Sequence, residues 1–141
     1  MRVLIVDDDY VSRIKLKALL APFADCDAVP DGALAVSMFE KAHRESVPYD
    51  LITMDVDMPG MSGQEAVQKI RQWEQEHRAY RSAAGEVRVL MVTIKKDPGT
   101  IITSFRDGCE WYLIKPVTPE KLRDAFARLG FAEDAAQARK G

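Results

Sequence analysis

Residues 51–60 read Leu51-Ile52-Thr53-Met54-Asp55-Val56-Asp57-Met58-Pro59-Gly60. A short strand-forming run ends in a carboxylate, and Met58-Pro59-Gly60 follows as a turn. A strand that is apolar without alternation is one covered on both faces, as in a parallel sheet. Outward from this stretch, further β-rich runs occur at Arg2–Val6, Val87–Val92 and Trp111–Ile114, with a weaker one at Asp25–Val29.

The segments between these runs have helical spacing. Ile14, Leu16, Ala18, Leu19 and Leu20 are expected to serve a first helix. Leu34, Ala35, Met38, Phe39 and Ala42 mark a second, and Ala66, Val67, Ile70 and Trp73 a third. Ile101, Ile102 and Phe105 mark a short fourth, and Leu122, Ala125, Phe126 and Leu129 a fifth. Asp97-Pro98 and Thr118-Pro119-Glu120 read as helix starts, with a capping side chain followed by proline in the first turn. Gly108 reads as a helix stop. Five βα units with apolar strands imply an α/β fold, a doubly wound five-stranded parallel sheet with right-handed crossovers. The polar stretch Glu74–Glu86 is expected to prolong helix three and then loop. Residues 1–131 form the expected domain, and 132–141 a short charged tail, read as a frayed helix end.

Composition narrows the function classes. Of 141 residues, 47% are hydrophobic and 30% charged, and the formal net charge is -2. That balance gives no support for a non-specific nucleic-acid or membrane-surface binder. No stretch approaches the roughly 20 apolar residues of a membrane span. The run Val3–Val6 is too short and too soon followed by acids for a signal peptide. Cys26 and Cys109 form neither a disulfide framework nor a metal-type pair, so reduced, buried thiols in a cytoplasmic protein are expected.

In open α/β sheets, ligands bind beyond the carboxyl ends of the strands. The residues there are Asp7-Asp8-Asp9 after the first run, Asp55 after the third, Thr93 after the fourth and Lys115-Pro116 after the fifth. Clustered carboxylates repel one another unless a cation joins them. Mg²⁺ suits such a set, because it takes oxygen ligands and leaves places for water and a phosphate. A carboxylate can also act as a nucleophile and become an aspartyl phosphate. Mg²⁺ and a lysine would then surround the transferred group with positive charge.

Val3-Leu4-Ile5-Val6-Asp7-Asp8-Asp9, Asp55 with Met58-Pro59-Gly60-Met61-Ser62-Gly63, Val92-Thr93 and Lys115-Pro116 together resemble the receiver domains of two-component response regulators, of the chemotaxis-receiver type. The resemblance covers residues 2 to 130. It implies a flavodoxin-like (βα)5 fold with strand order 2-1-3-4-5. It implies Asp55 as phosphoacceptor, Asp8 as direct Mg²⁺ ligand with Asp7 assisting through water, and Asp55 and the Asp57 backbone carbonyl completing the metal set. Thr93 resembles the switch hydroxyl, Lys115 the lysine that contacts the phosphoryl group, and Tyr112 the switch aromatic. Lys115-Pro116 resembles a pair usually joined by a cis peptide. The phosphoryl source implied is a histidine kinase or a histidine phosphotransfer protein. The output implied is protein contact through helix four, strand five and helix five, with no direct nucleic-acid contact and no membrane insertion.

Each feature taken singly has a plainer explanation. The acidic triplet can be a solvated turn, with Asp9 capping helix one. Asp55 can be a loop carboxylate, Thr93 a strand residue, Lys115 a surface lysine and Tyr112 a half-buried sheet residue. Trp73 and Trp111 read as packing residues, and His43 and His77 as solvated. Two other functions compete. One is a haloacid-dehalogenase-type phosphatase, since Asp57 lies two residues after Asp55, although there the nucleophile follows the first strand. The other is a receiver that has lost its chemistry. After helix five no length remains for a DNA-binding output domain, so the expectation is a single-domain regulator or a fragment of something longer. Ile70-Arg71-Gln72-Trp73-Glu74 resembles the third-helix region of receivers fused to hybrid kinases, which keeps a phosphorelay role open. Ile94, bulky where the family often has a small residue, is expected at the rim of the site, and the Asp57 carboxylate is expected to repel anions at its mouth.

Overall fold

The computed structural model describes residues 1–77 and 85–131. The loop expected before the fourth strand therefore lies largely outside the described residues, as does the expected charged tail 132–141. The elements are β1 (Arg2–Val6), α1 (Tyr10–Leu20), β2 (Asp25–Val29), α2 (Gly32–Arg44), β3 (Leu51–Met54), α3 (Gly63–Glu76), β4 (Arg88–Thr93), α4 (Pro98–Asp107), β5 (Trp111–Ile114) and α5 (Pro119–Leu129). The four strand pairings of the described sheet are parallel, in the order β2-β1-β3-β4-β5. The fourth strand starts one residue later than expected, at Arg88. The Val87 amide donates to the Glu74 carboxylate at 2.8 Å, and the ladder begins with Arg88 opposite Leu51.

Alternate strand residues face opposite sides of the sheet, and each side has its own core. Leu4, Val6, Ile52, Met54, Val89 and Met91 pack under α2 and α3, with Phe39, Ile70 and Trp73. Val3, Ile5, Leu51, Leu90, Val92 and Leu113 pack under α1 and α5, with Leu16, Leu20 and Phe126. Each helix among the described residues starts with a side-chain cap. Asp9, Asp31, Ser62, Asp97 and Thr118 each accept the amide three residues on, which satisfies one of the free donors of the first turn. Gly108 and Gly130 close α4 and α5 with positive φ.

The helix stripes need four corrections. On α1 only Leu16 and Leu20 are buried, one turn apart, while Ile14 and Ala18 point to solvent. On α2 the buried face is Ala35, Phe39, Ala42 and His43, which leaves Leu34 exposed. His43, expected in solvent, packs its ring on Phe39 and Trp73, and His77 stacks on Trp73 at 4.4 Å between ring centroids. On α4 the one buried side chain is Ser104, and Ile102 and Phe105 are exposed. Polar contacts hold that helix instead. The Gln64 amide donates to Ser104 Oγ at 3.1 Å, Gln68 to Asp107 at 2.7 Å, and Arg71 to the Gly108 carbonyl at 2.9 Å. The stripes of α3 and α5 are buried as their spacing predicts. Cys109 is buried and Cys26 half-buried, and both are free thiols.

Candidate functional site

Ladder hydrogen bonds continue past the strand ends and fix the height at which the polar side chains emerge. The Asp7 amide donates to the Val29 carbonyl at 3.2 Å, Asp55 to Val6 at 3.0 Å and Lys115 to Thr93 at 2.8 Å. Asp7, Asp55 and Thr93 are thereby buried at the carboxyl edge, while Asp8 is exposed beside them. Asp7, Asp8 and Asp55 each offer a carboxylate oxygen, and these oxygens lie within 4.8 Å of one another.

Lys115 reaches this cluster from β5. Its Nζ donates to Asp7 Oδ2 at 2.8 Å, to Asp55 Oδ2 at 3.2 Å and to Ser12 Oγ at 3.3 Å. The second oxygen of Asp55 accepts the Val56 amide at 2.7 Å. Burial raises the pKa of Asp55; the Thr93 hydroxyl opposes the shift, the Asp7 charge adds to it, and Lys115 opposes it. Burial acts against the Lys115 ammonium, but its hydrogen bond to Asp7 and the charges of Asp55 and Asp7 outweigh that, and its pKa is raised. An all-oxygen, mutually repelling set of this kind fits a hard divalent cation.

The loop after β3 turns back sharply. Gly63 lies against Asp55 so closely that a Cβ there would sit 1.9 Å from the Asp55 carbonyl oxygen. The Gly63 amide donates to the Val56 carbonyl at 2.8 Å. Asp57 departs from the expectation made for it. Its carboxylate is exposed and paired with Lys95 Nζ at 3.3 Å, so its charge is partly taken up by a cation from the next loop rather than left bare at the mouth. The Lys95 amide donates to Thr93 Oγ1 at 3.3 Å. The Tyr112 hydroxyl donates to the Lys95 carbonyl at 2.7 Å, and its ring packs against the core under α2 and α3. Ile94 is 72% exposed, as expected of a rim residue. It lines a groove of about 700 Å³ with Asp7, Ser12, Leu16, Lys115 and Pro116.

The sequence model of the response regulator receiver domain matches residues 3–127. The chain belongs to the response regulator receiver domain family. Over 135 residues this receiver domain is 32% identical to the chemotaxis protein CheY-3 of Vibrio cholerae, covering 92% of this chain and 94% of that protein. Over 131 residues it is 28% identical to the nitrate/nitrite response regulator NarL of Escherichia coli, covering 93% of this chain and 55% of NarL. The chain thus spans about half the length of that relative. Among solved structures, Vibrio cholerae CheY4 superposes with a TM-score of 0.74 at 28% identity, covering 90% of this chain and 96% of that one. The receiver fold brings Asp7, Asp8, Asp55, Thr93 and Lys115 together as expected. The Lys115-Pro116 peptide is cis, as the resemblance implied. Sequence reading missed two residues at the site, Ser12 and Lys95, each of which matters through a partner that the completed sheet brings near. Gly63 belongs to the motif read after Asp55, but its close approach to the Asp55 carbonyl was not foreseen.

Proposed function

We propose that this chain is a cytoplasmic phosphorylation switch that accepts a phosphoryl group on Asp55 from a histidine kinase or a histidine phosphotransfer protein. The observation that carries this reading is the convergence of the Asp7, Asp8 and Asp55 carboxylates with the Lys115 ammonium on Asp55. In the transfer, an Asp55 oxygen forms the new bond to phosphorus. The N–P bond of a phosphorylated histidine breaks, and the imidazole leaves with that electron pair. Asp7, Asp8, Asp55 and the Asp57 carbonyl would hold Mg²⁺, which supplies positive charge to the transferred oxygens. Lys115 keeps a second cation beside Asp55, and Thr93 offers a hydroxyl to the new phosphoryl group. The exposed Tyr10, Val11 and Ile14 on α1 suit a protein donor docking near the mouth. The output surface is the α4–β5–α5 face, where Ile102 and Phe105 are exposed.

The test is incubation with a small phosphodonor, or with the mimic beryllofluoride, in the presence of Mg²⁺. Stoichiometric, acid-labile modification that disappears in Asp55→Asn supports the reading. Undiminished labelling of Asp55→Asn places the acceptor elsewhere. Multiple turnover of a phosphate ester would favour the phosphatase alternative.

A further inference from the structure

We infer that Ser12 is a positioning residue for Lys115, oriented for that task by Asp9. The inference rests on the role given to Lys115 above. An ammonium has three N–H donors, and Lys115 points them at three acceptors: Asp7 Oδ2, Asp55 Oδ2 and Ser12 Oγ. Two of these acceptors have other work in the proposed switch. Asp7 and Asp55 are both placed at the metal, and Asp55 changes its oxygens when it takes the phosphoryl group. Ser12 is the one leg of the tripod committed to neither.

The hydroxyl is set up to accept. It carries a single proton. That proton goes to Asp9 Oδ2 at 2.7 Å, the same oxygen that accepts the Ser12 amide at 2.9 Å. Only lone pairs then remain on the side of Lys115. Asp9 therefore does two things at the start of α1: it caps the helix, and it turns the Ser12 hydroxyl toward the lysine. The other end of Lys115 is held from α5. Lys121 Nζ donates to the carbonyls of Ile114 and Pro116, both at 3.1 Å, and so pins the backbone on either side. With the stem fixed from α5 and the tip held by Ser12 from α1, the lysine can exchange its contact on Asp55 for a phosphoryl oxygen without losing its place.

The test uses the full chain labelled with ¹⁵N-lysine. The Lys115 side-chain ammonium resonance is assigned by its absence in Lys115→Met. A slowly exchanging resonance is expected in the parent and expected to vanish in Ser12→Ala. Ser12→Ala should also bind beryllofluoride with Mg²⁺ roughly tenfold more weakly, the scale of one hydrogen bond to a charged group. Ser12→Thr, which keeps the hydroxyl, should restore both properties. Alanine is a good helix former, so α1 itself is not weakened by the change. A Ser12→Ala protein with the parent's resonance and the parent's affinity overturns the inference. If the parent itself fails to bind beryllofluoride, the proposed function falls, and the ammonium resonance still decides whether Ser12 holds Lys115.

Discussion

Gly63 and Asp55 touch so closely that no other residue fits at position 63. A Cβ would lie 1.9 Å from the Asp55 carbonyl oxygen and 2.9 Å from the Met54 side chain. The helix that begins there can start directly behind the candidate acceptor only because glycine has no side chain. Gly63→Ala is expected to destabilise the fold by about 3 kcal/mol, toward the upper end for overpacking because the clash is with backbone. Urea unfolding measures the loss. A substituted protein as stable as the parent would mean that the start of α3 can slide.

Ile94 is expected to shield the phosphorylated state from water. It is 72% exposed beside Lys115, and the Asp57 carboxylate, which would otherwise add electrostatic shielding, is paired with Lys95. The barrier to in-line water therefore rests on the apolar side chain. Decay of the phosphorylated protein in Mg²⁺ should quicken severalfold in Ile94→Ala. Equal decay rates would remove Ile94 from this role.

Helix α4 is expected to respond most to modification of Asp55. It buries only Ser104, its segment Thr100-Ile101-Ile102-Thr103 is β-branched throughout, and its contacts with α3 are polar. Hydrogen exchange with and without beryllofluoride should change across residues 94–112. An unchanged pattern there, with the mimic bound, would exclude α4 as the moving part.

Glu74 should be among the most sensitive positions far from the site. Its carboxylate is 2% exposed, accepts the Val87 amide at 2.8 Å and pairs with Arg71 at 2.7 Å. Glu74→Ala leaves a buried amide without this acceptor and removes one carboxylate from a guanidinium that keeps Glu110. A loss of about 3 kcal/mol is expected. Chemical denaturation is the measurement, and a loss within experimental error would show that Arg71 and Glu110 hold the start of β4 without Glu74.

Alkaline pH should weaken the fold through Tyr49. Burial pushes its phenol from an ordinary 10.0 up to about 12, and its hydrogen bond to Asp27 at 2.6 Å and the Asp27 charge add to the shift. The folded state thus holds this proton more tightly than the unfolded one. The resulting stability is present below the unfolded pKa near 10 and is lost as pH rises toward 12. Tyr49→Phe should be less stable at neutral pH and should flatten the fall in that window. An unchanged slope would assign the alkaline loss to other groups.

Much of this was legible in the sequence, because strand limits and strand-end chemistry are local. The limits of β1, β2, β3 and β5 follow from β-rich runs bounded by polar or turn residues, and the same boundaries deliver Asp7, Asp55 and Lys115 to one edge. Helix faces were less legible. Periodicity locates an apolar side but not whether anything covers it, as Ile14, Ile102 and Phe105 show. His43 was legible by counting one turn from the buried Phe39. Ser12 and Lys95 were not, since their partners Lys115 and Asp57 are brought near only by the completed sheet.

The two apolar clusters on either side of the sheet have no side chain in common. Substitutions placed one in each, at Phe39 and Phe126 for instance, should combine additively, since no shared neighbour transmits strain between them. The two layers nevertheless share their strands, since neighbouring residues such as Val3 and Leu4 face opposite clusters. At the carboxyl edge Lys115, arriving from the fifth strand, joins the ends of the first and third through Asp7 and Asp55. In this architecture the acidic edge is also a seam that ties three strand ends together.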